Sequence, residues 1–305
     1  MRKLRIGVVG LGGIAQKAYL PILSKGTEWQ LVGAFSPGAE KRKRICQQYR
    51  IHEFTNLHAL ASDCDAVFVH SSTSSHFEVV TALLNKGIDV YVDKPLASTI
   101  DEAERMCELS RKNGRKLMVG FNRRFAPMYV EAKKQAEKLS WVCFEKHRAN
   151  AVGPESYAFT LLDDYIHIVD TARWLADGDI QMRYSNIQVN SDNELTAAQN
   201  IFEATSGISF RTFMHRHAGT NLEQLSLFED GSTVRVKNMK TKETERYGAI
   251  TTETASSWDT LLKQRGFEDA VNHFIASIYQ DEQPLVDGEE GVKTQLLMDE
   301  LIKGL

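Results

Sequence analysis

Short runs of valine, isoleucine and leucine alternate with amphipathic stretches through the first part of the chain. Short, mainly apolar runs rich in valine or isoleucine occupy residues 4–9, 30–35, 66–70, 88–92 and 116–120. Between them, residues 14–23, 39–49, 77–85 and 100–112 repeat their apolar positions at helical spacing. Gly87 and Gly114 follow the last two, where a helix-terminating glycine is expected. Strand alternating with helix predicts βαβ units, a parallel sheet and right-handed crossovers. Strands apolar at every position, rather than at every second one, predict a sheet covered on both faces.

After Gly120 the texture changes. A helix is predicted from near Pro127, then a segment of long side chains over 130–139, a strand-like stretch over 141–148 and a helical one over 163–176. From 187 to 236 apolar and polar positions mostly alternate, at 187–190, 207–215, 222–228 and 233–237. These read as antiparallel strands joined by turns such as Glu229-Asp230-Gly231-Ser232. Towards the end, Phe267, Ala270, Val271, Phe274 and Ile278 are spaced for one buried helical face. The change of pattern predicts an α/β protein of two domains, 1–121 and 122–305, with no repeat and no low-complexity linker.

A length of 305 residues suits about two domains. With 42% hydrophobic and 25% charged residues and a formal net charge of −3, the composition is that of a soluble globular protein. It gives no sign of a nucleic-acid partner, and the basic run Lys41-Arg42-Lys43-Arg44 reads as a solvated helix face. Cys46, Cys64, Cys107 and Cys143 are scattered, which argues against a disulfide framework or a metal site and fits a reducing cytoplasm. Met1-Arg2-Lys3 before an apolar stretch imitates a signal peptide, but Gly7, Gly10, Gly12 and Gly13 interrupt that stretch, so it is read as a first strand and turn. No apolar segment reaches the roughly 18–20 residues that span a bilayer.

Candidate chemistry begins at that turn. Gly10-Leu-Gly12-Gly13-Ile14-Ala15 is G-x-G-x-x-A between a strand and a helix. The first glycine permits a tight turn, the second lets a pyrophosphate approach the backbone, and the small third residue lets helix and strand pack closely. Free N–H groups at the helix start then bind the anion. An NAD-selective site usually carries an acid at the end of the second strand for the ribose 2′-OH. Here that position reads Ala34-Phe35-Ser36-Pro37. Ser36 with Lys41 or Arg42 could instead accept a 2′-phosphate, so the cofactor is expected to be NAD or NADP, with the balance tipped slightly to NADP.

Two further features could handle protons. Val90-Tyr91-Val92-Asp93-Lys94-Pro95 ends a strand on a charged pair, with proline stopping the ladder. Lysine can give or take a proton if burial or nearby positive charge, such as an oxidised nicotinamide, brings its pKa toward ~7–8. An isolated lysine there would equally serve as a solvated gatekeeper at a sheet edge. Asp163 and His167 lie four apart at the start of a predicted helix, where a carboxylate one turn from an imidazole can set its tautomer. A surface His–Asp pair is the alternative.

Gly10–Ala15, Asp93-Lys94-Pro95, Gly120-Phe-Asn-Arg-Arg-Phe-Ala-Pro127 and Asp163-x-x-x-His167 occur in the order and spacing of the Gfo/Idh/MocA oxidoreductases, the glucose–fructose oxidoreductase and inositol dehydrogenase family, which this chain resembles along its whole length. Residues 66–73, 119–127 and 160–170 resemble the MviM-type members in particular. The resemblance implies an N-terminal Rossmann domain with a doubly wound parallel sheet and a C-terminal α/β domain with an open, mainly antiparallel sheet that supports homodimers or tetramers. It implies Lys94, His167 and Asp163 as catalytic residues. Gly10, Gly12, Gly13 and Ile14, with Ser36, Ser71, Ser72, His76, Asp93 and Lys94, are the expected cofactor contacts. Ser72-Thr73-Ser74-Ser75-His76 occupies the stretch that reads T-P-x-x-H in the family, without its proline, and Asp93 stands where the family has glutamate. Arg124, Arg148 and Tyr165 are candidates to face the substrate, with His147 and Asn150 in the same region. The implied activity is hydride transfer between NAD(P) and a sugar, polyol or related hydroxyl or keto compound. In that picture the nicotinamide lies over the carboxyl edge of the parallel sheet. The family also contains dinucleotide-binding regulators without chemistry, which is the alternative.

Overall fold

Apolar strands need cover on both faces, and helices provide it. The computed structural model describes residues 2–304 and divides into two units by internal packing. The first comprises the chain up to Phe121 with Glu268–Lys293, and the second comprises Asn122–Phe267 with the chain from Thr294 onward.

In the first unit, strands β1 (Leu4–Val9), β2 (Trp29–Phe35), β3 (His52–Glu53), β4 (Ala66–Val69), β5 (Asp89–Val92) and β6 (Leu117–Val119) form one sheet. Their order is β3-β2-β1-β4-β5-β6 and every pairing is parallel. This is the doubly wound arrangement, with its switch point between β1 and β4. All four residues of β4 and of β5 are buried, as strands covered on both faces require. The helix Ile100–Asn113 shows how local chemistry sets element ends. Thr99 and Glu102 form a reciprocal capping box at its start, and Gly114 takes a φ of +59° at its end.

Residues 268–293 complete this unit, whereas the sequence reading had kept the C-terminal helices in the second domain. The helix Phe267–Gln280 packs Phe274 edge-on against Phe68 and Tyr91, with centroids 5.5 and 5.7 Å apart. Val119 N donates to Val286 O at 2.8 Å, so the returning chain adds a short antiparallel bridge beside β6. At Gly291 a Cβ would come within 2.7 Å of Val119 Cγ2, so the last helix approaches the sheet at van der Waals contact with no room for a side chain.

The second unit is an eight-stranded sheet. Strands β7 (Leu139–His147), β8 (Ile180–Val189), β9 (Leu195–Ala204), β10 (Ser209–His215), β11 (Leu222–Glu229), β12 (Ser232–Lys237), β13 (Thr241–Arg246) and β14 (Ala249–Thr254) lie in the order β14-β13-β12-β11-β7-β10-β9-β8. All pairings are antiparallel except the central β7–β10 pair. Burial alternates along β10 and β12, so one face is covered. The helices Pro127–Gln135 and Ile166–Leu175 pack on it. The predicted turn at Glu229–Ser232 is present, with Gly231 at a φ of +71°. Strands β9, β13 and β14 lack a clear alternation of apolar and polar positions. β9 carries three alanines, β13 has no apolar residue and every residue of β14 is exposed, so pairing with neighbouring strands reinforces what pattern alone does not announce.

The placement of residues 268–293 has a direct test. Phe274→Ala removes a fully buried ring and should lower the unfolding free energy of the protein by about 3–5 kcal/mol, read from the urea midpoint. An unchanged midpoint would contradict the packing.

Candidate functional site

The carboxyl edge of the parallel sheet gathers the residues expected to hold a dinucleotide. Gly10 N donates to Phe35 O at 2.9 Å, which ties the turn after β1 to the end of β2. Gly10 has a φ of +88°, and a Cβ on it would lie 2.4 Å from Ser71 N. Only glycine fits, on both conformational and steric grounds. Gly13 is the opposite case. A Cβ there would meet nothing within 4 Å, and at Gly12 only His70 O at 3.8 Å. Open space therefore lies over the start of the helix, next to the exposed Ile14, where amide N–H groups favour an anion. A dinucleotide pyrophosphate fits this cradle.

Beside the turn, Ser71 and Ser72 belong to a hydroxyl network. Ser75 Oγ donates to Ser71 Oγ and to Ser72 O, both at 2.8 Å. His76 is buried, with Nδ1 3.0 Å from Pro95 O and Nε2 3.2 Å from Ser71 O. Expected as a cofactor contact, it instead ties the loop after β4 to the loop after β5, since a carbonyl faces each ring nitrogen. That second loop presents Asp93 and Lys94, and Asp93 Oδ1 accepts from Lys94 N at 2.9 Å. His70 is stacked on Tyr19 at 3.9 Å, and burial, with His76 nearby, pushes its pKa down to about 3. It is therefore a neutral packing residue at ordinary pH. At the end of β2, Arg42 is buried and donates Nη1 to Ser36 O at 2.7 Å and Nε to Glu53 at 3.0 Å. Of the two cations expected near a 2′-phosphate, Arg42 is thus held internally, while Lys41 is exposed.

In the second unit Asp163 and His167 lie on one continuous helical run. Ser156 Oγ caps it by accepting from Phe159 N at 3.3 Å, a π turn spans Leu161–Tyr165, and α-helix follows over Ile166–Leu175. Asp163 is exposed and His167 buried. A second π turn, Ala15–Tyr19, follows the glycine cradle. Such turns recur at functional sites because they widen the spiral and shift the phase of side chains.

The three substrate candidates part company here. Arg124 is buried and grips Asp170 through Nε at 2.9 Å and Nη2 at 2.7 Å, and Thr294 Oγ1 also donates to Asp170 at 3.0 Å. Tyr165 is fully buried, its hydroxyl 2.6 Å from Thr212 Oγ1 and accepting from Asn200 Nδ2. Both expectations are therefore corrected, because these polar ends are committed inside the unit. Arg148 is different. It pairs with Asp164 through Nε at 3.0 Å and Nη2 at 2.9 Å and stays partly exposed.

The sequence reading missed a buried charge network around Asp164. Lys146 Nζ lies 2.7 Å from Asp164 and 3.6 Å from Glu223, Arg123 grips Glu223 at 2.6 and 2.9 Å, and Arg216 Nη1 donates to Asp164 at 2.6 Å. A signal did exist: Lys146 follows Val142 and Phe144 on the inward register of β7, where a further apolar residue is expected. Burial and repulsion by Arg123 push Lys146 down to about 8. Burial alone would raise Glu223, but Arg123 and Lys146 outweigh it and hold the carboxyl down at about 2. Lys146 and Arg148 likewise outweigh burial at Asp164 and hold it well below the usual carboxylate range.

Two tests follow. Tyr165→Phe should cost about 1–3 kcal/mol of stability by leaving Asn200 and Thr212 short of a partner, with KM for the substrate unchanged. A raised KM would return Tyr165 to the substrate site. A carboxylate whose folded pKa is depressed stabilises above its unfolded pKa, and that stabilisation is lost as pH falls through the folded value. The stability gap between wild type and Glu223→Gln should therefore shrink as pH falls from 4.5 toward about 2, measured by urea unfolding. A gap independent of pH would refute the coupling.

Residues 4–121 match the family described as Oxidoreductase family, NAD-binding Rossmann fold, and residues 127–247 match the family described as YceM-like, C-terminal domain. The "Putative oxidoreductase YceM" of Salmonella typhimurium is 44% identical over 301 residues, covering 99% of this chain and 98% of that one. A crystal structure of a dehydrogenase (MviM) from Clostridium difficile superposes with a TM-score of 0.97 at 43% identity, covering 100% of both chains. Inositol 2-dehydrogenase of Paracoccus denitrificans is 30% identical over 245 residues, covering 75% of this chain and 72% of that one. A match of this extent, on a sheet whose switch point bears the glycine cradle, makes the chain a member of the Gfo/Idh/MocA oxidoreductase family.

Proposed function

We propose that this protein transfers hydride between NAD or NADP and a CH–OH or keto group of a sugar, polyol or related compound. The observation that carries the reading is the position of Lys94. It stands at the carboxyl end of β5, in the same sheet edge as the open cradle of Gly12 and Gly13, where open α/β sheets bind their ligands. The inositol 2-dehydrogenase relative supports the substrate class.

Gly10, Gly12, Gly13 and Ile14 would hold the pyrophosphate, Ser36 the adenosine ribose, and Ser71, Ser72 and Asp93 the nicotinamide half. When bound, the cofactor supplies or accepts the hydride. The chain supplies the proton. An alcohol that loses hydride from carbon must also lose the proton on oxygen, and a ketone that gains hydride must gain one. In the proposed mechanism the His167 imidazole exchanges that proton, the Lys94 ammonium polarises the oxygen or shares the relay, and Asp163 sets the imidazole tautomer. The end of β2 at Ala34-Phe35-Ser36-Pro37 carries no acid, and Ser36 with exposed Lys41 nearby supports acceptance of the 2′-phosphate of NADP. The reading extends to a cytoplasmic homodimer or tetramer. Trp141 and Tyr184, exposed on the eight-stranded sheet, supply apolar surface for such an assembly.

Lys94→Ala should abolish turnover, monitored by NAD(P)H absorbance, while calorimetry shows dinucleotide affinity close to wild type. Turnover at the wild-type rate would remove Lys94 from the mechanism.

A further inference from the structure

The central strands β7 and β10 run parallel, so their carboxyl ends lie side by side. Met214 pairs with Lys146 and His215 with His147, and the next residues are Arg148 on one strand and Arg216 and His217 on the other. Six basic residues therefore crowd one edge of the sheet. Lys146, Arg148 and Arg216 reach the covered face, where all three meet Asp164. That carboxylate is the immediate neighbour of Asp163 on the π turn that leads to His167.

Charge in this network does not balance. Lys146, Arg148, Arg216 and Arg123 share the carboxylates of Asp164 and Glu223, a formal excess of two positive charges. Excess like charge in a poorly solvated place raises its energy unless an anion joins it. Burial first, and then repulsion by Arg123, push the pKa of Lys146 down. The surplus reaches solvent at Arg148, whose side chain is 35% exposed, against 1% for Lys146. Its Nε and Nη2 hold Asp164, which fixes the guanidinium plane, and Nη1 is the nitrogen not engaged by that carboxylate. A planar cation held in this way is pre-organised to receive an anionic oxygen pair.

We infer that Arg148, backed by Arg216 and Lys146, is an anion subsite, and that the substrate carries a carboxylate or phosphate group besides its reacting hydroxyl or keto carbon. This rests on the oxidoreductase reading above and narrows it to sugar acids or sugar phosphates. Neutral polyols lack the group that the surplus charge would attract.

The test begins with wild-type protein, NAD and NADP, and three matched sets of substrates: neutral sugars and polyols, aldonates and uronates, and sugar phosphates. An anionic set should exceed the neutral one in kcat/KM, and the comparison of carboxylates with phosphates identifies the group. Arg148→Met should reduce kcat/KM for the preferred anion by roughly 10–100-fold, mostly through KM, as loss of a charged hydrogen bond predicts. Arg148→Lys should recover part of that loss. Dinucleotide affinity should be unchanged by either substitution, which also reports that the variants are folded. Preference for neutral substrates, or an anion KM insensitive to Arg148→Met, overturns the subsite and leaves the oxidoreductase reading standing. Dinucleotide binding without turnover in any set would instead overturn the reading, and the subsite with it.

Discussion

The contact on which the first unit depends is the approach of Gly10 to the backbone of His70 and Ser71, too close for any side chain. It joins the turn after β1 to the end of β4 across the point where strand order reverses. Open α/β sheets have a crevice there, because successive helices leave to opposite faces. The cradle at Gly12 and Gly13, the serine network and the Asp93-Lys94 turn are then neighbours through sheet topology alone. His76 reinforces the arrangement by holding the loops after β4 and β5 to one another through two carbonyls. A ligand edge assembled from backbone contacts stays ordered before ligand binds, which lowers the entropic cost of binding.

Much of this was legible in the sequence because parallel strands buried on both faces are apolar at every position, and because the glycine turn has a stringent steric cause. The second unit was harder to read. β9 carries residues that favour helix, β13 is mostly charged or polar and β14 is exposed along its length, so no local pattern announces them. Candidate chemistry divided the same way. The tight turn at Gly10 was placed from sequence alone, because it follows from backbone geometry. Arg124 and Tyr165 were misjudged because a polar residue beside a motif can point into the protein as readily as out of it, and only the partners Asp170, Thr212 and Asn200 decide which.

The buried charges of the second unit do not serve stability in a simple way. A buried ion pair often contributes less than apolar packing of the same volume, although removing one partner is costly. Retaining four cations around two carboxylates makes sense as a means of holding groups in position. Asp164 anchors the π turn from beneath by three cations, and Asp163 is displayed on the same turn. The turn that carries the exposed carboxylate is thus held through one that is almost hidden.

The return of residues 268–293 to the parallel sheet also bears on how the molecule is made. Val286 bridges to β6 and Phe274 seals the aromatic cluster, yet both leave the ribosome long after the strands they cover. The nascent Rossmann sheet must wait, with apolar surface uncovered, while the entire eight-stranded sheet is translated. Contacts separated by so much sequence close slowly. For the same reason a gene fragment ending at codon 121 would encode a truncated core, and an autonomous dinucleotide-binding module would need the distant helix spliced back on.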